Sequence, residues 1–123
     1  MGPTRKPTKY EADRIDAMLR LGCVACAFID LPVPFAEVHH ILDGGRRMGH
    51  WFTIPLCPGH HRDVWSPEQL EVIEAMDRVS ISDSRNTFME VYPSERAMWN
   101  RVQSRLRLSR VWPVSKILPR RTA

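Results

Sequence analysis

Residues 38–63 read VHHILDGGRRMGHWFTIPLCPGHHRD and carry two histidine doublets, His39-His40 and His60-His61, around a glycine-rich middle. Residues 36–41 contain the first doublet, and WFTIPLC is rich in aromatic and β-branched residues. Both read as short strands that pair with each other, with DGGRRMGH as the loop between them. PGHHRDVW reads as a short helix, since Pro58 suits a first helical position, where the amide has no intrahelical partner. Successive strand residues face opposite ways. His39 and His40 therefore serve one site only if the strand ends or bulges between them, and Gly44-Gly45 directly after is where such a bend is accommodated. Otherwise one imidazole is buried and the other solvated.

Outward from this stretch, Cys57 begins C-x-x-H with His60, and upstream Cys23 and Cys26 form C-x-x-C. Three cysteines cannot close a disulfide set, but with His60 they make four ligands in two short-spaced pairs. Zinc takes such sets in a tetrahedron, because two intervening residues let a tight turn aim both donors at one point. A structural zinc is the expectation. The competing readings are buried reduced thiols with unrelated histidines, and a redox C-x-x-C pair, which lacks a surrounding βαβ pattern here. If His60 belongs to zinc, His61 points elsewhere, toward whatever lies over the strands.

The flanks read as helical. Thr8 with Glu11 is a capping box ahead of an Ala12, Ile15, Leu19 stripe, and Gly22 ends that helix. Pro32 and Pro34 break helicity in the next segment, leaving a metal knuckle and a loop. Ser66, Pro67 and Gln69 open a further helix with Leu70, Ile73 and Met76 inward. Two more helices are expected either side of Pro93, the second with Trp99, Val102 and Leu106 on one face. Trp51, Trp65 and Trp99 read as core residues.

A length of 123 residues argues for one domain. No apolar run approaches the roughly 20 residues needed to span a bilayer, and the first residues are not followed by the apolar segment of a secretory signal. No membrane partner is expected, and the cytoplasm is the expected location. Net charge is +4, and from residue 96 onward there are eight Arg or Lys and no Asp or Glu. Arginine suits phosphate because its planar fork matches phosphate oxygens. A solvated, solubilising tail is the plainer alternative.

The pattern C-x-x-C … HHI … GG … IPLC-x-x-HH resembles the HNH nucleases. More narrowly, residues 38–63, with CVAC before them and FMEVYPSERAMWNRV after them, resemble the phage recombination-enhancement (Ref) nucleases, which are RecA-dependent HNH endonucleases. The likeness runs from about residue 10 to residue 106. It implies an α+β fold, a small ββα-metal (His-Me finger) core with a structural zinc knuckle and flanking helices. The organisation expected is a disordered basic arm over residues 1–7, a zinc-stabilised HNH nuclease domain over 8–110 and a basic C-terminal extension over 111–123.

Carried over by position, the resemblance makes His40 the general base that takes a proton from water, and His39 and His61 the ligands of a catalytic divalent ion. Such an ion is needed because the scissile phosphodiester is already negative. An imidazole with an ordinary pKa near ~6.5 suits a base at neutral pH. The middle asparagine of HNH is absent, and His50 is the candidate for its orienting role, with Thr53 behind it. Trp65 stands where a third protein ligand often lies. Two protein ligands leave the rest of the shell to water and DNA, which favours Mg²⁺ or Mn²⁺. Arg46 and Arg47 read either as phosphate clamps or as solvated loop charges, and Asp63 either as a metal ligand or as a surface salt bridge. The implied function is phosphodiester hydrolysis in DNA leaving 3′-hydroxyl ends, by a phage-encoded enzyme in the bacterial cytoplasm or nucleoid. Its partners would be a RecA filament and single-stranded or displacement-loop DNA bound by the arm and tail. Without an identifiable recognition helix, low sequence preference is expected. The rivals are a zinc-stabilised DNA-binding or adaptor module without catalysis, and a purely structural zinc protein.

Overall fold

The Thr8 hydroxyl accepts the Glu11 amide at 3.2 Å, and the Glu11 carboxylate accepts the Thr8 amide at 2.8 Å, closing the capping box that starts α1 (Lys9–Arg20). The structure is a computed structural model that describes residues 5–31 and 33–108. Residues 1–4 of the expected arm, Pro32, and the whole expected C-terminal extension lie outside the described residues.

The buried face of α1 is not the expected one. Glu11, Arg14, Ala17 and Met18 are buried, while Ala12 is exposed and Ile15 and Leu19 are only half-buried. The cause is Arg14, which is fully buried and donates to Gln103 Oε1 (2.9 and 2.7 Å) and to Thr53 Oγ1 (2.8 Å). Burial pushes its pKa down to about 10, so it remains charged at neutral pH. A buried guanidinium must keep its acceptors, and this polar hub rotates α1 away from its apolar stripe.

The Arg5 guanidinium places two nitrogens on the Glu11 carboxylate, at 2.8 and 2.9 Å, and holds its pKa at about 2 against an ordinary 4.5. Because the folded value is the lower one, the ionised carboxylate contributes stability above the ordinary value. That contribution is lost as pH falls toward the folded value. The gap in melting temperature between the parent and Glu11→Gln is therefore expected to narrow from pH 7 to pH 3. A thermal melt giving an equal gap at both pH values contradicts this.

Gly22 follows α1 with φ +81°, and a β-carbon there would lie 2.5 Å from the Val33 carbonyl oxygen, so the chain turns tightly at this point. Next comes α2 (Val24–Phe28), a short helix where the sequence suggested only a knuckle and loop; Cys23 is its N-cap. β1 (Glu37–His40) leads through a two-residue turn from β2 (Leu42–Asp43) to β3 (Arg46–Arg47). Gly44 and Gly45 have φ of +60° and +79°, the left-handed pair that such hairpin turns require. The segment read as a loop is thus a small hairpin. β4 (Thr53–Leu56) then pairs antiparallel with β1, as expected.

No bulge separates His39 from His40. The register runs unbroken from Glu37 opposite Leu56 to His40 opposite Thr53, and the Ile41 amide continues the ladder to the Phe52 carbonyl at 2.9 Å. The expected bend is absent because both faces of the strand have polar partners to receive an imidazole.

α3 (Pro58–Arg62) follows β4 at once, with Pro58 at its start. Ser66 and Gln69 form a capping box for α4 (Pro67–Val72). That helix stops at Val72, with Ile73 extended, so the helical period ends there. Ile73 is buried, but Leu70 and Met76, expected inward, are exposed. α5 (Arg85–Val91) and α6 (Glu95–Leu108) lie either side of Pro93 as expected.

β4 is the centre of the core. Ile54 and Leu56 are fully buried among Met18 of α1, Val24 and Ala25 of α2, and Met98, Val102 and Leu106 of α6. Trp99 is buried and donates to the Trp51 carbonyl at 2.8 Å, whereas Trp51 and Trp65 are half-buried. Among the described residues no helix is long and apolar enough to cross a membrane.

Candidate functional site

Cys23 and Cys57 cap α2 and α3 in the same way. The Cys23 sulfur accepts the Cys26 amide, and the Cys57 sulfur accepts the His60 amide, each at 3.4 Å. The two-residue spacing of both motifs is thus the spacing from an N-cap to the third helical residue. Each helix start brings its second ligand beside its first.

His60 Nδ1 lies 3.7, 3.4 and 3.3 Å from the sulfurs of Cys23, Cys26 and Cys57, and the Cys26 and Cys57 sulfurs are 3.8 Å apart. All four donor atoms fall within 4.8 Å of one another, and all four residues are buried. A tetrahedron with zinc–sulfur bonds of about 2.3 Å has edges of about 3.8 Å, so the cluster has the dimensions of a structural zinc site. The second nitrogen of His60 fits as well. Burial raises the Tyr92 phenol pKa well above its ordinary value, and its hydroxyl donates to the Asp77 carbonyl at 2.8 Å. The Tyr92 oxygen, 2.6 Å from His60 Nε2, is then the acceptor of the Nε2–H, which leaves the Nδ1 lone pair for an ion. Burial pushes the Cys23 thiol up to about 12, and the sulfurs of Cys23 and Cys57 raise Cys26. Cys57 is lowered by hydrogen bonds from those two thiols and from His60. Three thiolates here require a cation.

His61, next along α3, faces the strands. Its ring lies edge-on to that of His39, centroids 5.3 Å apart. His39 Nε2 lies 2.8 Å from Glu95 Oε2, and His61 Nδ1 lies 2.8 Å from Glu37 Oε1. On the other face of β1, His40 Nε2 lies 3.1 Å from His50 Nδ1, and His50 Nε2 lies 2.6 Å from the Arg5 carbonyl. A carbonyl only accepts, so His50 carries its proton on Nε2 and accepts at Nδ1. His40 then donates through Nε2 and keeps its lone pair on Nδ1. Thr53 donates to the His50 carbonyl at 3.0 Å and is itself held by Arg14.

His40 is the last residue of β1, and it remains within electrostatic reach of the other face. Its pKa is lowered to about 4, first by burial, then by electrostatic repulsion from Arg47 and the neighbouring imidazoles. Arg46 and Arg47 are exposed on β3. Among the described residues Asp63 has no salt bridge. It accepts the Trp65 indole N–H at 2.7 Å in a left-handed turn with φ +63°.

A family model described as "recombination enhancement, RecA-dependent nuclease" matches residues 7–106. The chain belongs to this family. As a RecA-dependent recombination-enhancement nuclease, the protein is a hydrolase acting on nucleic acid. A search of curated proteins returns no match.

Two carboxylates beside the histidines of this nuclease went unmarked in the sequence. Glu37 was accessible to strand periodicity, since it shares a face with His39. Glu95 had no such signal, because it reaches His39 from the first turn of α6. Both are clamped on their far side, Glu95 by Arg85 at 2.9 Å and Glu37 by Arg62 at 2.7 Å. The Arg62 hydrogen bonds, with a smaller contribution from His61, hold Glu37 at a pKa of about 2.

Proposed function

We propose that this nuclease is a metal-dependent DNA endonuclease of the HNH class, hydrolysing phosphodiesters in DNA presented by a RecA filament or its displacement loop. The observation that carries the reading is the approach of His61 to His39 across α3 and β1, with His40, whose Nε2 is already held, within electrostatic reach at the end of β1. The order strand, strand, helix, with the doublet closing the first strand and His61 on the helix, supports it.

The donor set suits a second, more loosely held ion. His39 and His61 each use one nitrogen on a carboxylate, which leaves Nδ1 of His39 and Nε2 of His61 as ligand atoms. Bound there, Mg²⁺ or Mn²⁺ would supply positive charge against the pentavalent phosphoryl group and the 3′ leaving oxygen. His40 takes the proton of the attacking water at Nδ1. His50 is a positioning residue that fixes the tautomer and direction of the His40 ring. An arriving phosphodiester raises the pKa of His40 by adding negative charge beside it, so the base strengthens when substrate is in place. Arg46 and Arg47 hold phosphates next to the site.

The test is plasmid nicking with Mg²⁺ or Mn²⁺, with and without RecA filaments. Cleavage that requires the added ion supports the reading. Undiminished cleavage by zinc-loaded protein in excess EDTA overturns metal dependence, and absence of cleavage under every condition favours a catalytically inactive DNA-binding module.

A further inference from the structure

The two imidazoles of the proposed ion site are backed by one repeated construction. His39 Nε2 meets Glu95 Oε2 at 2.8 Å, and Glu95 Oε1 meets Arg85 Nη1 at 2.9 Å. His61 Nδ1 meets Glu37 Oε1 at 2.8 Å, and Arg62 closes on Glu37 with two prongs, Nε to Oε1 at 2.9 Å and Nη2 to Oε2 at 2.7 Å. The chains Arg85–Glu95–His39 and Arg62–Glu37–His61 share β1 and otherwise draw on different helices. The first joins α5, α6 and β1, and the second joins α3 to β1.

An ionised carboxylate has no proton to give, so in each pair the imidazole N–H is the donor. The tautomer is thereby fixed, with lone pairs on His39 Nδ1 and His61 Nε2. Each ring is also held in rotation. Arg85 takes the second oxygen of Glu95, and Arg62 spans both oxygens of Glu37; each offsets the carboxylate's charge, which keeps the carboxylate on the imidazole and away from an ion. Glu95 is only 5% exposed and is the first residue of a 14-residue helix, where the backbone dipoles favour an anion. Ser94 caps that helix, its hydroxyl accepting the Ala97 amide at 3.1 Å.

The geometry points to Glu95 and Glu37 as positioning residues for the divalent ion, each acting through its histidine to set which nitrogen faces the metal. This rests on the reading of His39 and His61 as ligands.

Manganese EPR titration of the full, zinc-loaded chain tests it on the parent, Glu95→Gln and Glu37→Gln. Glutamine keeps the shape, but it has no charge and carries a donor as well as an acceptor, so the tautomer is released. The Mn²⁺ dissociation constant is expected to rise about 10–100-fold in each variant, with zinc still at one per chain. Nicking by Glu95→Gln should recover toward the parental rate as Mn²⁺ is raised. A purely structural role would lower the melting temperature and leave Mn²⁺ affinity unchanged, which overturns the inference. Should Glu95→Gln fail to fold, the half-exposed Glu37 position carries the test. Absence of Mn²⁺ binding by the parent itself would overturn the underlying ligand assignment as well.

Discussion

His40→Ala is expected to lower metal-dependent nicking by about 10²–10⁴-fold, the usual contribution of a positioned general base. Zinc content and far-UV circular dichroism should stay as in the parent. The substitution removes the Nδ1 lone pair that the hydrogen-bond chain from the Arg5 carbonyl through His50 leaves on the His40 ring. It disturbs little else, because His40 is half-buried at the end of a four-residue strand and lies outside the Cys3His cluster. Nicking rates at saturating Mn²⁺, with RecA filaments present, are the measurement. Equal rates for parent and variant would remove His40 from the mechanism.

Cys57→Ala is expected to leave the chain without fixed tertiary structure. A structural zinc contributes about 10–16 kcal/mol of apparent binding energy in small zinc domains. The whole stability of a domain is about 5–15 kcal/mol, so the loss is as large as the stability itself. Cys57 is an especially costly ligand to remove. Its sulfur caps α3 through the His60 amide and accepts the Gln69 side-chain amide at 3.3 Å, tying α4 to the cluster. Its loss releases the helix that carries His61. Near-UV circular dichroism and hydrogen exchange should show the collapse of packing, along with the absence of zinc. A cooperative melt at the parental temperature from zinc-free Cys57→Ala protein contradicts the zinc's structural role.

Local chemistry made parts of this architecture legible. Both capping boxes, the pairing of the two strands and the four-ligand cluster follow from short-range rules, since each depends on residues a few positions apart or on matched spacing. What escaped depended on distant partners. The face of α1 is decided by Gln103 and Thr53 reaching Arg14, and no stripe of apolar residues signals a guanidinium in a core. α2 escaped because the two cysteines that mark a metal knuckle also start a helix, and the prolines further on drew attention to the break alone. The bend expected between His39 and His40 assumed one face for both rings. A regular strand instead sends one ring to Glu95 and His61 and the other to His50. The carboxylates behind the candidate site were the least visible part, because an arginine-clamped glutamate looks like any surface salt bridge until the fold brings it to an imidazole.

The central claim is that neighbouring imidazoles on α3 serve different ions, His60 the three sulfurs and His61 the pocket beside His39. Zinc and manganese content of the parent and of His61→Ala, by elemental analysis and manganese EPR on the same preparations, test it most directly. Zinc should remain at one per chain in both proteins, with Mn²⁺ taken up by the parent alone. Loss of zinc from His61→Ala, or equal Mn²⁺ binding by the two proteins, would contradict that division.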